Sequence, residues 1–148
     1  MPAVQNVFPI RQDAGIPGGA AMSRYQFDSA VVQGAPIAFG APVQRGTDPR
    51  GITLLTSGGG LFLGIARQKR GGLADRHEVG SVAAFYTGAS GVYVLADAAV
   101  AVDAVVRYNT ATGRYTSAAA SATVIECTGW TFDSIATAAG QLVIIKRV

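Results

Sequence analysis

The stretch "AVVRYNTATGRYTSAA", residues 104–119, contains the clearest local structural signal of the chain. Two runs rich in Val, Tyr and Thr flank the segment "NTATG". Asn109 and Gly113 favour a turn there, because each tolerates backbone conformations that β-branched residues resist. The stretch therefore predicts a β-hairpin in which Tyr108 and Tyr115 lie on either side of the turn and contact each other across the strands.

Short apolar runs of strand character recur along the rest of the chain, separated by turns rich in Gly. They span residues 25–32, 36–46, 52–56, 61–68, 81–87, 91–97, 122–134 and 141–148. The segment "GAS" at 88–90 predicts a second hairpin, between the runs 81–87 and 91–97. Apart from one helical turn allowed at 133–140, helical periodicity with caps is absent from the sequence. The pattern predicts an all-β fold, a single β-sandwich or barrel-like (jelly-roll-like) domain.

The first 24 residues differ from the rest, because prolines and glycines there interrupt any regular element. The segment nevertheless contains several apolar residues. Because disordered tails are poor in apolar residues, we expect an extended N-terminal arm that docks on a neighbouring protein rather than a flexible tail. The chain is thus divided into an arm, residues 1–24, and a β-rich domain, residues 25–148. The arm residues predicted to reach an interface are Val4, Val7, Phe8, Pro9, Ile10 and Arg11.

Composition indicates that much of the surface is covered in the working state. Charged residues are 14% of the 148 residues and hydrophobic residues 49%, whereas charged residues make up about 25% of an average domain. The net charge is +3, and the arginines are spread along the chain instead of forming a stripe, so we expect no nucleic-acid partner. The longest uncharged run, residues 79–96, contains three glycines and reads as strands and a turn, so we expect no membrane partner.

The side chains that carry chemistry in enzymes are sparse in this chain. Cys127 is the only cysteine, which excludes an intrachain disulfide, fits a protein made in a reducing cytoplasm and favours a small buried hydrophobe over a nucleophile. His77 is the only histidine, and no G-x-S-x-G motif is present. The carboxylate pairs Asp97 and Asp103, and Asp75 and Glu78, look like ordinary turn acids. We expect no catalytic residue, no cofactor and no metal.

The most charged stretch, "QKRGGLADRHEVG" at 68–80, reads as a surface loop. Its basic residues and the arginine just before it suit either a solvated loop or an electrostatic contact with an acidic protein surface. As interface candidates we take Arg67, Lys69, Arg70 and Arg76.

Several longer segments stand in a characteristic order. "SRYQFDSA" (23–30) follows the Pro- and Gly-rich start, and "IAFGAPVQRGTD" (37–48) contains an F-G-x-x-V-x-x-G run. "LFLGIARQ" (61–68) precedes the charged loop, and the region 91–117 ends in a V-x-Y-N-x-x-T-G-x-Y hairpin. The closing segment, 130–148, joins an aromatic and small-residue stretch to a last apolar strand. In order and spacing, residues 23–148 resemble the structural cement (head decoration) proteins of tailed bacteriophages.

The resemblance implies a β-rich module that binds the outside of an assembled icosahedral capsid and stabilises it by bridging major capsid protein subunits. It implies a homo-oligomer, a dimer or a trimer, whose partner is the major capsid protein. It places the protein on the exterior of the virion after synthesis in the host bacterial cytoplasm.

Three other functions stay open at this point. A tail or baseplate structural module has the same general composition. A carbohydrate-binding β-module would stack sugars on an exposed row drawn from Tyr25, Tyr86, Tyr93, Tyr108, Tyr115 and Trp130. A small hydrolase would use Cys127 or His77.

Overall fold

The computed structural model describes residues 17–19, 25–56, 60–69, 75–89 and 91–147, and within these ranges the regular elements are all β-strands. In chain order they are β1 (Tyr25–Val32), β2 (Ile37–Ala38), β3 (Pro42–Arg45), β4 (Gly51–Leu54), β5 (Phe62–Ala66), β6 (Arg76–His77), β7 (Val82–Ala89), β8 (Val92–Leu95), β9 (Val105–Asn109), β10 (Arg114–Thr116), β11 (Val124–Phe132) and β12 (Leu142–Arg147). The predicted all-β class is confirmed.

The strands form two main layers. β1, β4, β3, β5 and β7 close into a barrel, and a five-stranded sheet has the order β10-β9-β11-β12-β8. A parallel bridge between Ala96 and Tyr115 joins the two edges of this sheet at one end, so we call it the curled sheet. β2 and β6 form a small two-stranded sheet, in which Ile37 pairs with His77.

β5 and β7 connect the two layers because side chains on both of their faces are buried where the two strands pair with each other. On one face the cross-strand pair Ile65 and Tyr86 belongs to the larger apolar cluster, which includes Trp130 and Phe132 of the curled sheet. On the other face the next pair, Ala66 and Phe85, belongs to the smaller cluster inside the barrel. Successive strand residues point to opposite faces, so two adjacent strands contribute side chains to two cores.

The hairpin predicted at 104–119 is confirmed. Arg114 pairs with Asn109 and Tyr115 pairs with Tyr108, and the two tyrosine ring centroids lie 5.2 Å apart. Gly113 adopts a φ of 71°, a left-handed conformation that glycine adopts without steric cost.

The second predicted hairpin, around 88–90, is wrong. β7 pairs with β1 and β5 in the barrel, whereas β8 pairs with β12 in the curled sheet. The chain crosses between layers here, because Val92 and Val94 are buried in the larger cluster with Trp130.

The helical turn allowed at 133–140 is not formed either, since Ala136 bridges to Val100 instead. The predicted run 36–46 is split into β2 and β3 by a turn at Gly40, where φ is 83°.

Candidate interaction surfaces

Residues 17–19, the described part of the predicted arm, lie at the seam between the barrel and the curled sheet. The Gly18 N–H donates to the Tyr93 carbonyl at 2.8 Å, and the Tyr93 N–H donates to the Gly19 carbonyl at 2.9 Å. On the other side, the Gln68 N–H donates to the Gly18 carbonyl at 3.2 Å. The base of the arm is therefore bonded to both layers. The predicted interface residues Val4, Val7, Phe8, Pro9, Ile10 and Arg11 lie outside the described residues.

Gly18 and Gly40 approach each other so closely at this seam that neither position has room for a side chain. A Cβ on Gly18 would lie 2.7 Å from both the Ala66 carbonyl oxygen and the Gly40 nitrogen. The hydroxyl of Tyr115 also donates to the Gly40 carbonyl. The seam thus joins the base of the predicted arm to the barrel through backbone groups, and the confirmed hairpin to it through the Tyr115 side chain.

The four basic residues predicted to form an interface have different environments. The guanidinium carbon of Arg67 lies 5.0 Å from the centroid of the Phe27 ring, and Lys69 is exposed. The Nε of Arg76 donates to Glu78 at 2.9 Å. That hydrogen bond, and then the charge of Glu78, raises the pKa of Arg76. Arg70 lies outside the described residues. A common partner for these residues stays a prediction.

The outer face of β1 and β7 exposes apolar side chains that sequence reasoning missed. Val31 and Val82 are cross-strand partners, and Val82 and Phe27 are 65% and 54% exposed. Alternation along β1 predicts that Phe27, Ser29 and Val31 share one face. The sequence does not show that this face would be left exposed. Contiguous apolar surface of this kind is typical of interaction sites.

A cleft of about 250 Å³ opens at one end of the barrel, and we call it the barrel-mouth cleft. β4 pairs with β1 only at Val31 and Val32, so the preceding residues of β1 diverge from it and leave the opening. The cleft is lined by Asp28, Ser29, Ala30, Arg45, Pro49, Arg50, Gly51, Ile52, Leu63, Phe85 and Thr87. Its floor is apolar, and its rim carries two guanidinium groups and one carboxylate.

Cys127 and His77 occupy structural positions. Cys127 is fully buried in the larger apolar cluster, and burial raises the pKa of its thiol strongly, which fits the predicted small hydrophobe. His77 is 5% exposed, its ring packs edge-on against Phe39 with centroids 4.9 Å apart, and burial lowers its pKa. Its Nε2 lies 2.7 Å from the Arg67 carbonyl oxygen.

Three of the four turn acids make polar side-chain contacts, among them Asp103, whose Oδ1 lies 4.0 Å from Lys146 Nζ. Asp97 accepts a hydrogen bond from Asn109 Nδ2 at 2.9 Å, and Glu78 pairs with Arg76. Asp103 has a φ of 67°, in the left-handed region that Asp tolerates better than most residues. Among the described residues, no group of three or more His, Cys, Asp or Glu side chains is arranged to hold a metal ion.

The aromatic residues weighed for sugar stacking are mostly internal. Tyr86, Tyr108, Tyr115 and Trp130 are buried, and Tyr93 is half-buried. These four buried rings cannot form an exposed stacking row. Within the part of the chain that the structure describes, no helix is long and apolar enough to span a membrane.

Comparison with known proteins finds one matching family and solved structures that this chain is similar to. Residues 4–147 match the family described as structural cement protein (E217 gp24/Pam3 gp6). A chain in the structure "The capsid of Myoviridae Phage XM1" is similar with a TM-score of 0.67 and 19% identity, over 88% of each chain. A chain of the head fiber gp8.5 N base of bacteriophage phi29 has a TM-score of 0.45 and 14% identity, over 84% of this chain and 95% of that chain. The search of curated proteins found no match.

Proposed function

Because this chain belongs to the structural cement protein family of bacteriophages, we propose that it binds the outer surface of the assembled capsid and bridges major capsid protein subunits. The observation that carries the proposal is the match to that family over residues 4–147. The exposed apolar face of β1 and β7 supports it, because a protein that works in contact with others needs such surface.

The proposed mechanism is stabilisation by binding, without chemistry on a substrate. A protein that binds the assembled shell but not its separated subunits shifts the equilibrium towards the shell by mass action. If two or three linked copies grip different capsid subunits, each further contact becomes intramolecular and the avidity exceeds the affinity of one copy. Closed symmetry would place such a dimer or trimer on a symmetry axis of the shell. Nothing in this mechanism requires a cofactor or a metal.

The arm has a defined part in this proposal. Its base is bonded to both layers through Gly18 and Gly19, so a load on residues 1–16 would pass into the body of the protein. Apolar residues in an extended segment can fill a groove or add a strand to a sheet edge of a neighbour. We assign Val4, Val7, Phe8 and Ile10 to that contact.

Co-sedimentation with emptied capsids tests the proposal. The full chain should sediment with shells and raise the temperature at which they dissociate, and sedimentation equilibrium of the free protein should give a dimer or a trimer. A chain that neither binds nor stabilises shells would refute the proposal.

Deletion of the arm tests whether the arm contributes to capsid binding. The deletion should stop at residue 16, because a longer one would also remove the backbone bonds of Gly18 and Gly19. We expect the chain lacking residues 2–16 to keep its melting temperature and lose most shell binding. Equal binding by the truncated and full chains would show that the arm is not a capsid contact.

Labelled particles in the electron microscope separate the head from the tail or baseplate. Label on the tail would favour the alternative structural role.

A further inference from the structure

We propose that the barrel-mouth cleft is a docking site for an extended acidic segment of the capsid protein, an inference that rests on the proposed function. The acidic side chain would enter the cleft and be held by Arg45 and Arg50. The opening has the shape for an extended chain, its rim is positively charged, and the turn on one side of it is held by hydrogen bonds.

The shape of the cleft suits an extended chain. The Val31 and Gln33 N–H groups donate towards β4, to the carbonyls of Arg50 and Ile52 at 2.8 and 2.9 Å. By the alternation of a strand, the backbone groups of Ser29 point to the same side, at a level where the parallel strand β4 has not yet begun. The Ser29 N–H is capped locally by Asp28 Oδ1 at 2.7 Å. The Ser29 carbonyl would accept an N–H from a segment laid along β1, as in strand addition.

The charge of the rim favours an acidic occupant. Arg45 is the cross-strand partner of Ile52, so its side chain continues the inner face of the barrel at the mouth. Arg50 lines the cleft from the adjacent turn. Among the described residues that line the cleft, Asp28 is the one with a negative charge, and its carboxylate already accepts the Ser29 N–H. The rim therefore carries a net positive charge, and guanidinium groups bind carboxylates through paired hydrogen bonds.

The volume and the apolar floor of the cleft suit a single acidic side chain of the docked segment. Ile52 and Phe85 are buried at the bottom, so the methylene groups of a glutamate would rest on apolar surface. A cavity of about 250 Å³ admits a side chain of that size.

The turn that presents Arg50 is held in place before any partner arrives. The Gln33 Oε1 accepts hydrogen bonds from the Thr47 and Asp48 N–H groups at 3.1 and 3.4 Å. The Gln33 Nε2 donates to Asp48 Oδ2. Inside the turn, the Gly51 N–H donates to the Asp48 carbonyl at 3.0 Å. A preordered turn loses little conformational entropy on binding, which suits a docking site.

Three single variants, compared in shell co-sedimentation with the full chain, test the role of the arginines. Arg45→Ala and Arg50→Ala should each weaken shell binding by about tenfold, since each removes charge-assisted hydrogen bonds. Arg114→Ala is the matched control. It removes the same charge from β10 in the curled sheet, outside the cleft, and should bind like the wild type.

Asp28→Asn tests the sign of the occupant's charge. The amide oxygen of asparagine can still accept the Ser29 N–H, so the strand stays capped. Removing the carboxylate should tighten shell binding if the occupant is acidic, and weaken it if the occupant is basic.

The outcomes separate this inference from the function on which it rests. If the wild type does not bind shells, both are wrong. If the wild type binds and the arginine variants bind equally well, or Asp28→Asn binds less well, only the docking site is wrong. If the arginine variants lose self-association and keep shell affinity per copy, the cleft holds a second copy of this chain and the inference is overturned.

Discussion

Among single residues, Tyr115 connects three parts of the fold, whereas its local sequence indicates only the hairpin. It pairs with Tyr108 within the hairpin, bridges to Ala96 at the end of β8, and donates its hydroxyl to the Gly40 carbonyl in the barrel layer. Burial raises its pKa well above the usual value of a tyrosine. The hydroxyl is therefore a neutral donor at neutral pH.

Replacing Tyr115 by Phe should lower the free energy of unfolding by about 1–2 kcal/mol, because the buried Gly40 carbonyl loses its donor from the side chain. Tyr108→Phe, on the opposite strand of the same hairpin, is the control and should cost less, since Gly40 is untouched. Urea denaturation of both variants measures the difference. Equal losses would mean that the Gly40 contact contributes nothing.

His77 gives the protein a stability that depends on pH. Burial is the main cause that lowers its pKa, so the unfolded state, with a pKa of about 6.5, binds a proton more readily than the folded state. The neutral ring must carry its proton on Nε2, because the Arg67 carbonyl can only accept.

The neutral, buried His77 contributes fully to the free energy of unfolding above about pH 6.5, the pKa of the unfolded state. This contribution is lost as the pH falls from there through the lower pKa of the native state. The free energy of unfolding should therefore decrease between pH 7.5 and pH 5.5. His77 is the only histidine, so a single imidazole signal in the NMR spectrum reports its titration directly. A native pKa at or above 6.5 would contradict the prediction.

Among the elements, the hairpin of β9 and β10 is held both by its own turn and by a contact to the segment that follows β8. Asn109 Oδ1 accepts the Ala111 N–H at 3.0 Å, which is the local turn bond that asparagine typically makes. Its Nδ2 donates to Asp97 Oδ2 at 2.9 Å. One side chain thus shapes the turn and ties the hairpin to the segment that follows β8.

Asn109→Asp separates these two contacts. The new carboxylate keeps the acceptor for Ala111 but faces Asp97 with a like charge, so the unfolding free energy at pH 7 should fall by about 1–2 kcal/mol. The exchange variant, Asn109→Asp with Asp97→Asn, restores a donor and an acceptor and should recover most of the loss. A double-mutant cycle measured by chemical denaturation gives the coupling. Additive effects in that cycle would show that the contact is unimportant.

At the scale of the whole molecule, the protein is two β layers joined along the faces of β5 and β7 and along the seam at Gly18. The larger cluster takes Ile65 and Tyr86 from the barrel strands, so the core of the curled sheet is incomplete without the barrel. The base of the arm is part of this joint. In the proposed function, this attachment would pass a load on residues 1–16 to both layers.

Gly18→Ala should lower the free energy of unfolding by more than Gly34→Ala does. Both residues have a positive φ, 77° and 78°, so both variants carry the same backbone strain of about 1 kcal/mol. A Cβ at Gly34 would meet nothing within 4 Å, whereas one at Gly18 would meet backbone atoms at 2.7 Å. The difference between the two melting temperatures isolates the close approach at the seam. Similar melting temperatures would mean that the seam adjusts without cost.

The all-β class, the positions of most strands and the hairpin at 104–119 could be predicted from the residues alone, because alternation and turn chemistry are local properties. The family resemblance could be found in the same way, since it depends on the order of the segments. The pairing of the strands could not be predicted, because the turn signal at 88–90 is the same whether the chain folds back or crosses to another layer. In the folded protein the chain crosses, and Val92 and Val94 are buried in the larger cluster. The cleft and the seam were likewise beyond sequence reasoning, since Asp28, Arg45 and Arg50, or Gly18 and Gly40, come together only when the barrel closes.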